Sequence, residues 1–188
     1  MNKVRWGVLS TAKIGMEKVT PALQRSQWCD VQAIASRSLE SAQAAAGKLG
    51  IPKAYGSYEE LLADPSIEAI YNPLPNDQHV PLTLAAARAG KHVLCEKPVT
   101  IEPSEAWEID ETAKNLNRHL VIAFGWNYLP MLQRAKELML ERGIGELEQM
   151  SITMSSQCRE LLSNTGAYPD SSPESVPEQS TWTDSRVS

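Results

Sequence analysis

Short apolar runs alternate with helix-spaced apolar positions through residues 1–125. Val4–Leu9, Val31–Ala35, Lys53–Tyr55, Ile67–Tyr71, His92–Cys95 and Leu120–Phe124 read as six strands. The fifth holds the continuous run Val93, Leu94 and Cys95, usual for a strand covered on both faces. The intervening segments carry helix punctuation. In "TPALQRS", Thr20 stands as N-cap with Pro21 at the first helical position. Pro21 would damage one long helix starting near Ala12, so the pattern predicts a short turn first and a kink or restart near Thr20. Ser38 caps "LESAQAAAGKL", which Gly50 stops. Ser57 and Glu60 have capping-box spacing ahead of "ELLA". "QHVPLTLAAARAG" predicts a helix ending at Gly90, with Pro81 tolerated in its first turn, and Ser104–Leu116 predicts another.

Strands alternating with helices predict a mainly parallel sheet with right-handed crossovers and helices on both faces, an α/β fold. Six strands in two βαβαβ halves fit the Rossmann dinucleotide-binding arrangement, order 3-2-1-4-5-6. Beyond it, "PMLQRAKELMLERG" is amphipathic and "ELEQMSITMSS" alternates like a half-buried antiparallel strand. From Ser163 the chain is dense in Ser, Pro, Glu and Thr. The expected organisation is a dinucleotide-binding domain over 1–125, the start of an incomplete α+β C-terminal substrate domain over 126–157, and an irregular or mobile tail over 158–188. There is no internal repeat.

Composition narrows the function. With 188 residues, 42% of them hydrophobic, the chain can bury a core, and no apolar run approaches the ~18 residues of a membrane span. A net charge of −5 without a basic stripe argues against nucleic acid as a partner. Met1–Gly15 reads as strand then loop, without the apolar core of a secretory signal. Cys29, Cys95 and Cys158 are odd in number and lack metal-ligand or CxxC spacing, which suits reduced thiols in the cytoplasm. Cys95 beside Glu96 reads as a buried strand thiol sooner than as a nucleophile.

The chemistry collects where strands end. After the first strand, "GVLSTAKIG" puts Ser10 and Ala12 at the first two glycine positions of a G-x-G-x-x-G fingerprint and Gly15 at the last. The stretch reads either as a small-residue phosphate cradle with Lys13 adding charge, or as an ordinary β–α turn. After the second strand, an NAD site would place Asp or Glu on the ribose 2′-hydroxyl. Ser36, Arg37 and Ser38 stand there instead, a set that can hold a 2′-phosphate and so favours NADP(H) over NAD(H), unless Arg37 is only a solvated loop residue. "YNPLPNDQH" follows the fourth strand, where Asn76 or Asp77 can be a helix cap and His79 a first-turn surface residue. "KHVLCEKPVT" ends the fifth strand on Glu96 and Lys97, with Pro98 biasing Lys97 toward extended backbone.

Together "GVLSTAKIG", "SRS", "YNPLPNDQH", "AGKHVLCEKP" and "AFGWNYLP" resemble the glucose–fructose oxidoreductase/inositol dehydrogenase (Gfo/Idh/MocA) family, from Val4 to about Gln157. The resemblance implies that Lys97 of the EKP motif is catalytic and lies by the nicotinamide, with Glu96 lining the same pocket and a cis Lys97–Pro98 bond. It also implies cofactor contacts from Ser10, Thr11, Ala12, Lys13, Ile14, Arg37, Leu74, Asn76 and His79. The implied activity is hydride transfer between NADP and a sugar, polyol or related alcohol or carbonyl, with a sugar-like small molecule as substrate, no membrane partner, and homo-oligomers through a C-terminal sheet. Two departures stand out. Asn127 occupies a position where many relatives carry arginine, and the glycine-rich segment and Asp…His pair of such enzymes have no match, as expected of a truncated oxidoreductase. The rival reading is a non-catalytic nucleotide-binding or interaction module derived from such an enzyme. A methyltransferase would want an acidic residue where Arg37 stands.

Overall fold

The computed structural model describes residues 2–141 and 145. The strand anticipated within 146–157 and the tail 158–188, Cys158 included, lie outside the described residues. Strands β1 (Val4–Leu9), β2 (Cys29–Ala35), β3 (Lys53–Tyr55), β4 (Ala69–Asn72), β5 (His92–Cys95) and β6 (Leu120–Ile122) form one sheet of order β3-β2-β1-β4-β5-β6. Every pairing is parallel, and the register sets Leu9 beside Ala35 and Asn72 beside Cys95. The carboxyl ends of β2, β1, β4 and β5 therefore line one edge, with the change of winding direction between β1 and β4.

Period-two alternation sends side chains to two cores. Val8, Val31, Ile34 and Tyr71 pack with Ala45, Ala46 and Ile51 on one face. Leu9, Ala33, Ala35, Ile70, Val93 and Cys95 pack with Leu61, Leu62, Ile67 and Ala86 on the other. Each fully buried aliphatic side chain contributes roughly 1.5–3 kcal/mol. Helices α2 (Leu39–Leu49), α3 (Tyr58–Ala63), α4 (Asn76–Arg88) and α5 (Pro103–Leu116) connect the strands. Ser38 Oγ accepts the Ser41 N–H at 3.3 Å, and Gly50 closes α2 at φ 66°. Ser57 Oγ accepts the Glu60 N–H at 3.2 Å, and the Glu60 carboxylate reaches back to the Gly56 N–H at 3.2 Å. A short 3₁₀ turn, Gly125–Tyr128, precedes helix α6, Pro130–Leu140. Among the described residues no helix is long and apolar enough to cross a membrane.

Four local expectations are corrected. Thr20 is no N-cap: the backbone is helical from Lys13 onward, passes through a π-helical turn at Gly15–Val19 and continues as α1, Thr20–Arg25. The Thr20 N–H donates to the Gly15 carbonyl five residues back, and Pro21 enters in the first turn of α1 after this π-helical irregularity, where its position predicted a kink or restart. Helix α4 begins at Asn76 with Pro75 at its N-cap, so Asn76 and Asp77 lie inside the first turn and cap nothing, and Pro81 falls in the second turn. His79 is not surface; it is 1% exposed.

Candidate functional site

Ligands of open α/β sheets bind outside the carboxyl ends of the strands at the switch of winding direction. A cleft of about 440 Å³ lies there, lined by Ser10, Thr11 and Ala12 after β1, by Ser36 and Arg37 after β2, and by Leu74 and Pro75 after β4. A larger recess of about 570 Å³ around Arg5, Glu68, Lys91 and Arg118 sits at the opposite, amino-terminal edge. An apolar cavity of about 210 Å³ lies among Thr83, Ile109 and Leu120. The recess is charged but lies at the edge away from the strands' carboxyl ends, and the cavity is mostly apolar.

The turn after β1 is built without its fingerprint glycines. Ser10 adopts φ 86°, a left-handed conformation that glycine takes without strain. Its N–H donates to Ala35 O at 2.8 Å, and its Oγ accepts the Ala12 N–H at 3.0 Å. The hydroxyl thus satisfies a donor of the turn, a small return for the strain. Gly15 keeps its fingerprint role: a Cβ there would stand 3.3 Å from Pro73 Cγ and 3.5 Å from Tyr71 Cε1, so its absence lets the helix approach the sheet. The N–H groups of that helix's first turn lack partners within the helix, which begins directly after the cleft-lining Ser10, Thr11 and Ala12.

At the β2 end, the Ser36 N–H donates to Tyr55 O at 3.1 Å, which fixes the loop that carries Arg37. Among the described residues Arg37 pairs with no carboxylate. Tyr58 stands close to it. Burial raises the Tyr58 phenol pKa, the Arg37 charge opposes that rise, and Glu59 adds to it.

Asn72, fully buried at the end of β4, organises the next loop around its own amide. Its Oδ1 accepts the Leu74 N–H at 3.3 Å, and its Nδ2 donates to His79 O and Thr83 Oγ1, each at 3.3 Å. The His79 ring lies beneath this loop, with Nε2 2.7 Å from Leu74 O and Nδ1 2.7 Å from Pro98 O. Across β4, the Lys97–Pro98 bond is cis, as the resemblance implied. The Lys97 side chain is exposed, and the buried Tyr71 hydroxyl donates to Glu96 Oε1 at 2.8 Å. Burial pushes the Tyr71 phenol pKa well up, and the hydrogen bond to Glu96 pushes it further. Burial also pushes the Cys95 thiol up to about 11, Thr83 opposing and Glu96 adding, so Cys95 is an unreactive core thiol.

Of the residues expected at the site, Ser10, Thr11, Ala12, Ser36, Arg37 and Leu74 come together in one cleft. Lys13, Ile14 and Asn76 are exposed in adjoining helical turns, His79 is buried beneath the loop, and Glu96 and Lys97 stand beyond β4. Tyr58, Asp77 and Gln78 join the lining as cleft residues that the sequence had not marked. Only the crossing of α3 past β2 brings Tyr58 there; Asp77 and Gln78 were legible only as neighbours of Asn76.

Residues 4–124 match the model of the GFO_IDH_MocA family, described as an oxidoreductase family with an NAD-binding Rossmann fold. The chain is 46% identical over 134 residues to D-xylose 1-dehydrogenase (NADP(+)) 2 of Haloferax volcanii, covering 71% of this chain and 41% of that protein. It is 37% identical over 146 residues to trans-1,2-dihydrobenzene-1,2-diol dehydrogenase of Mus musculus, covering 77% and 44%. Among solved structures, KijD10, a 3-ketoreductase from Actinomadura kijaniata in complex with NADP and TDP-benzene, superposes with a TM-score of 0.72 at 32% identity, covering 77% of this chain and 44% of that one. The chain thus spans less than half the length of each of these relatives.

Proposed function

Because the chain belongs to the GFO_IDH_MocA family of oxidoreductases with an NAD-binding Rossmann fold, we propose that it forms the cofactor-holding half of an NADP-dependent enzyme acting on a sugar, polyol or related alcohol or carbonyl. The observation that carries this reading is the cleft in which Ser36 and Arg37 face the Ser10–Ala12 turn, with no acidic residue at the end of β2. Relatives named for NADP use and for sugar or diol substrates support it.

The residues fit a dinucleotide. A cleft of about 440 Å³ accommodates the adenosine-phosphate half, and Gly15 gives the close helix approach that a pyrophosphate site needs. Thr11, Ala12, Lys13 and Ile14 would hold the pyrophosphate through main-chain N–H groups and the Lys13 charge. Ser36 and Arg37 would hold the 2′-phosphate by charge-assisted hydrogen bonds. Leu74 and Asn76 would bound the adenosine from the β4 side, with Tyr58 beside Arg37. The cofactor, when bound, supplies the hydride chemistry. Lys97 exchanges the proton of the substrate oxygen, a role worth ~10²–10⁴ in rate. Glu96, oriented by Tyr71, shapes the electrostatics around Lys97.

Arg37→Ala tests the cofactor assignment. A hydrogen bond to a charged group contributes roughly 1.5–3 kcal/mol, so the NADP-over-NAD preference should fall about ten- to a hundredfold. Calorimetric titration of both cofactors into both proteins reads this directly. Equal binding of NADP and NAD by the unmutated chain would refute it.

A further inference from the structure

In a parallel sheet each strand begins only after a crossover has returned the chain, so residues leading into the strands collect along one edge. Here Arg5 lies at the start of β1, Glu68 precedes β4, Lys91 and His92 lead into β5, and Arg118 precedes β6. All five line the recess of about 570 Å³ at the amino-terminal edge. The six residues of β1 separate it from the cleft by roughly 20 Å, at ~3.3 Å per residue.

Donors in this recess outnumber acceptors. Lys91 is 5% exposed, and its Nζ donates to Asp64 O at 2.6 Å and to Ile67 O at 2.8 Å. An ammonium has three donors, so one is left over. Among the described residues no carboxylate pairs with Lys91; the Asp64 carboxylate is taken by Lys53 at 2.7 Å. Arg118 Nε has no hydrogen-bond partner among the described residues, and its guanidinium pairs with no carboxylate there. His92 Nδ1 accepts the His119 N–H at 3.0 Å, which leaves the ring proton on Nε2 as a further donor. Glu68 is already engaged by Arg5, its side chain at 3.4 Å and its N–H at 3.0 Å.

We propose that the recess binds a phosphate group, free or carried by a small phosphomonoester, on Lys91, Arg118 and His92. The guanidinium fork would grip two oxygens, and the spare Lys91 donor a third. This site is separate from the cofactor cleft and does not depend on it.

Glu68 opposes an anion, and so do the carboxyl ends of α4 and α5, each equivalent to about half a charge. The three full charges of Arg5, Lys91 and Arg118 outweigh them. Burial lowers the Lys91 pKa, with the Asp64 charge opposing, and an anion beside the ammonium would offset that burial cost.

The test is a proton–nitrogen NMR titration of the 188-residue chain with inorganic phosphate and, in a second arm, glucose 6-phosphate, with sodium chloride holding ionic strength constant. The expected result is saturable shifts at the Arg5, Lys91, His92 and Arg118 amides below about 10 mM phosphate, distinguished by position from any response at the cleft. Arg118→Gln should weaken this binding roughly tenfold or more, through loss of the charged fork. Glu68→Gln should tighten it, since a repulsive charge goes while the amide oxygen can still accept the Arg5 N–H. Should Arg118→Gln fail to fold, Glu68→Gln decides alone. Absence of saturable shifts at these amides, or shifts that chloride alone reproduces, overturns the site. Shifts that persist undiminished in Arg118→Gln overturn it too, as does equal or weaker binding in Glu68→Gln. Tighter binding of the ester upholds the site and gives the rest of the recess to the organic part; equal or weaker ester binding upholds it for free phosphate.

Discussion

At Ser10 the usual ranking of glycine and alanine should invert. In ordinary backbone, glycine is less stable than alanine by about 0.5–1 kcal/mol, because it loses more freedom on folding. Ser10 sits at φ 86°, where a Cβ crowds the carbonyl at a cost of about 1–2 kcal/mol. Its hydroxyl accepts the Ala12 N–H at 3.0 Å, a bond worth about 0.5–1.5 kcal/mol net. Ser10→Ala keeps the strain and loses the bond, so it should destabilise by that second amount. Ser10→Gly loses the same bond and relieves the strain, so it should fall within about 1 kcal/mol of the parent. The hydrogen bond cancels between the two variants, and strain relief of about 1–2 kcal/mol less the glycine entropy cost of about 0.5–1 kcal/mol leaves the glycine protein more stable by up to about 1.5 kcal/mol. Urea unfolding with a common slope resolves this as a midpoint difference of up to roughly 0.7 molar. An alanine variant as stable as the glycine one would refute the claim that this turn stores backbone strain.

Lys97→Met, in an enzyme form that turns over, should lower turnover by ~10² or more while NADP(H) affinity stays within a few-fold. Parallel steady-state kinetics and calorimetry separate these, and a variant that keeps most of its turnover would remove Lys97 from the chemistry. Asp64 should govern acid stability. Burial alone would raise its pKa, yet hydrogen bonds from Lys53 Nζ at 2.7 Å, from Ser66 N–H at 2.8 Å and from Tyr55 OH at 2.8 Å hold it well below the ordinary carboxylate range. A depressed folded-state pKa contributes stability that is present above the unfolded value of about 3.9 and is lost as pH falls below it. Asp64→Asn should therefore cost about 1–3 kcal/mol at pH 7, and its penalty should shrink below about pH 4 in paired denaturation curves.

The sequence by itself determined whatever depends on neighbours along the chain. Ser38 and Ser57 bond N–H groups three residues on, and Gly50 needs only its own left-handed φ, so both helix starts and the α2 stop were legible. Alternating strands and helices fixed the strand order as well, since right-handed crossovers leave few arrangements open. What tertiary structure alone decided is where local preference met a packing demand. Pro21 argued for a kink or restart near Thr20, which the π-helical turn ahead of α1 supplies, but Thr20 itself caps nothing because the backbone before it is already helical. His79 looked like a first-turn surface residue until the loop after β5 laid the Pro98 carbonyl across its ring. Tyr58 carried no signal beyond its helix, and reaches the cleft only because parallel crossovers bring the ends of β2 and β4 together. Contacts between residues distant in sequence have no period and no spacing to read; they come into being when buried apolar surface pulls the layers together, and the site is made of them.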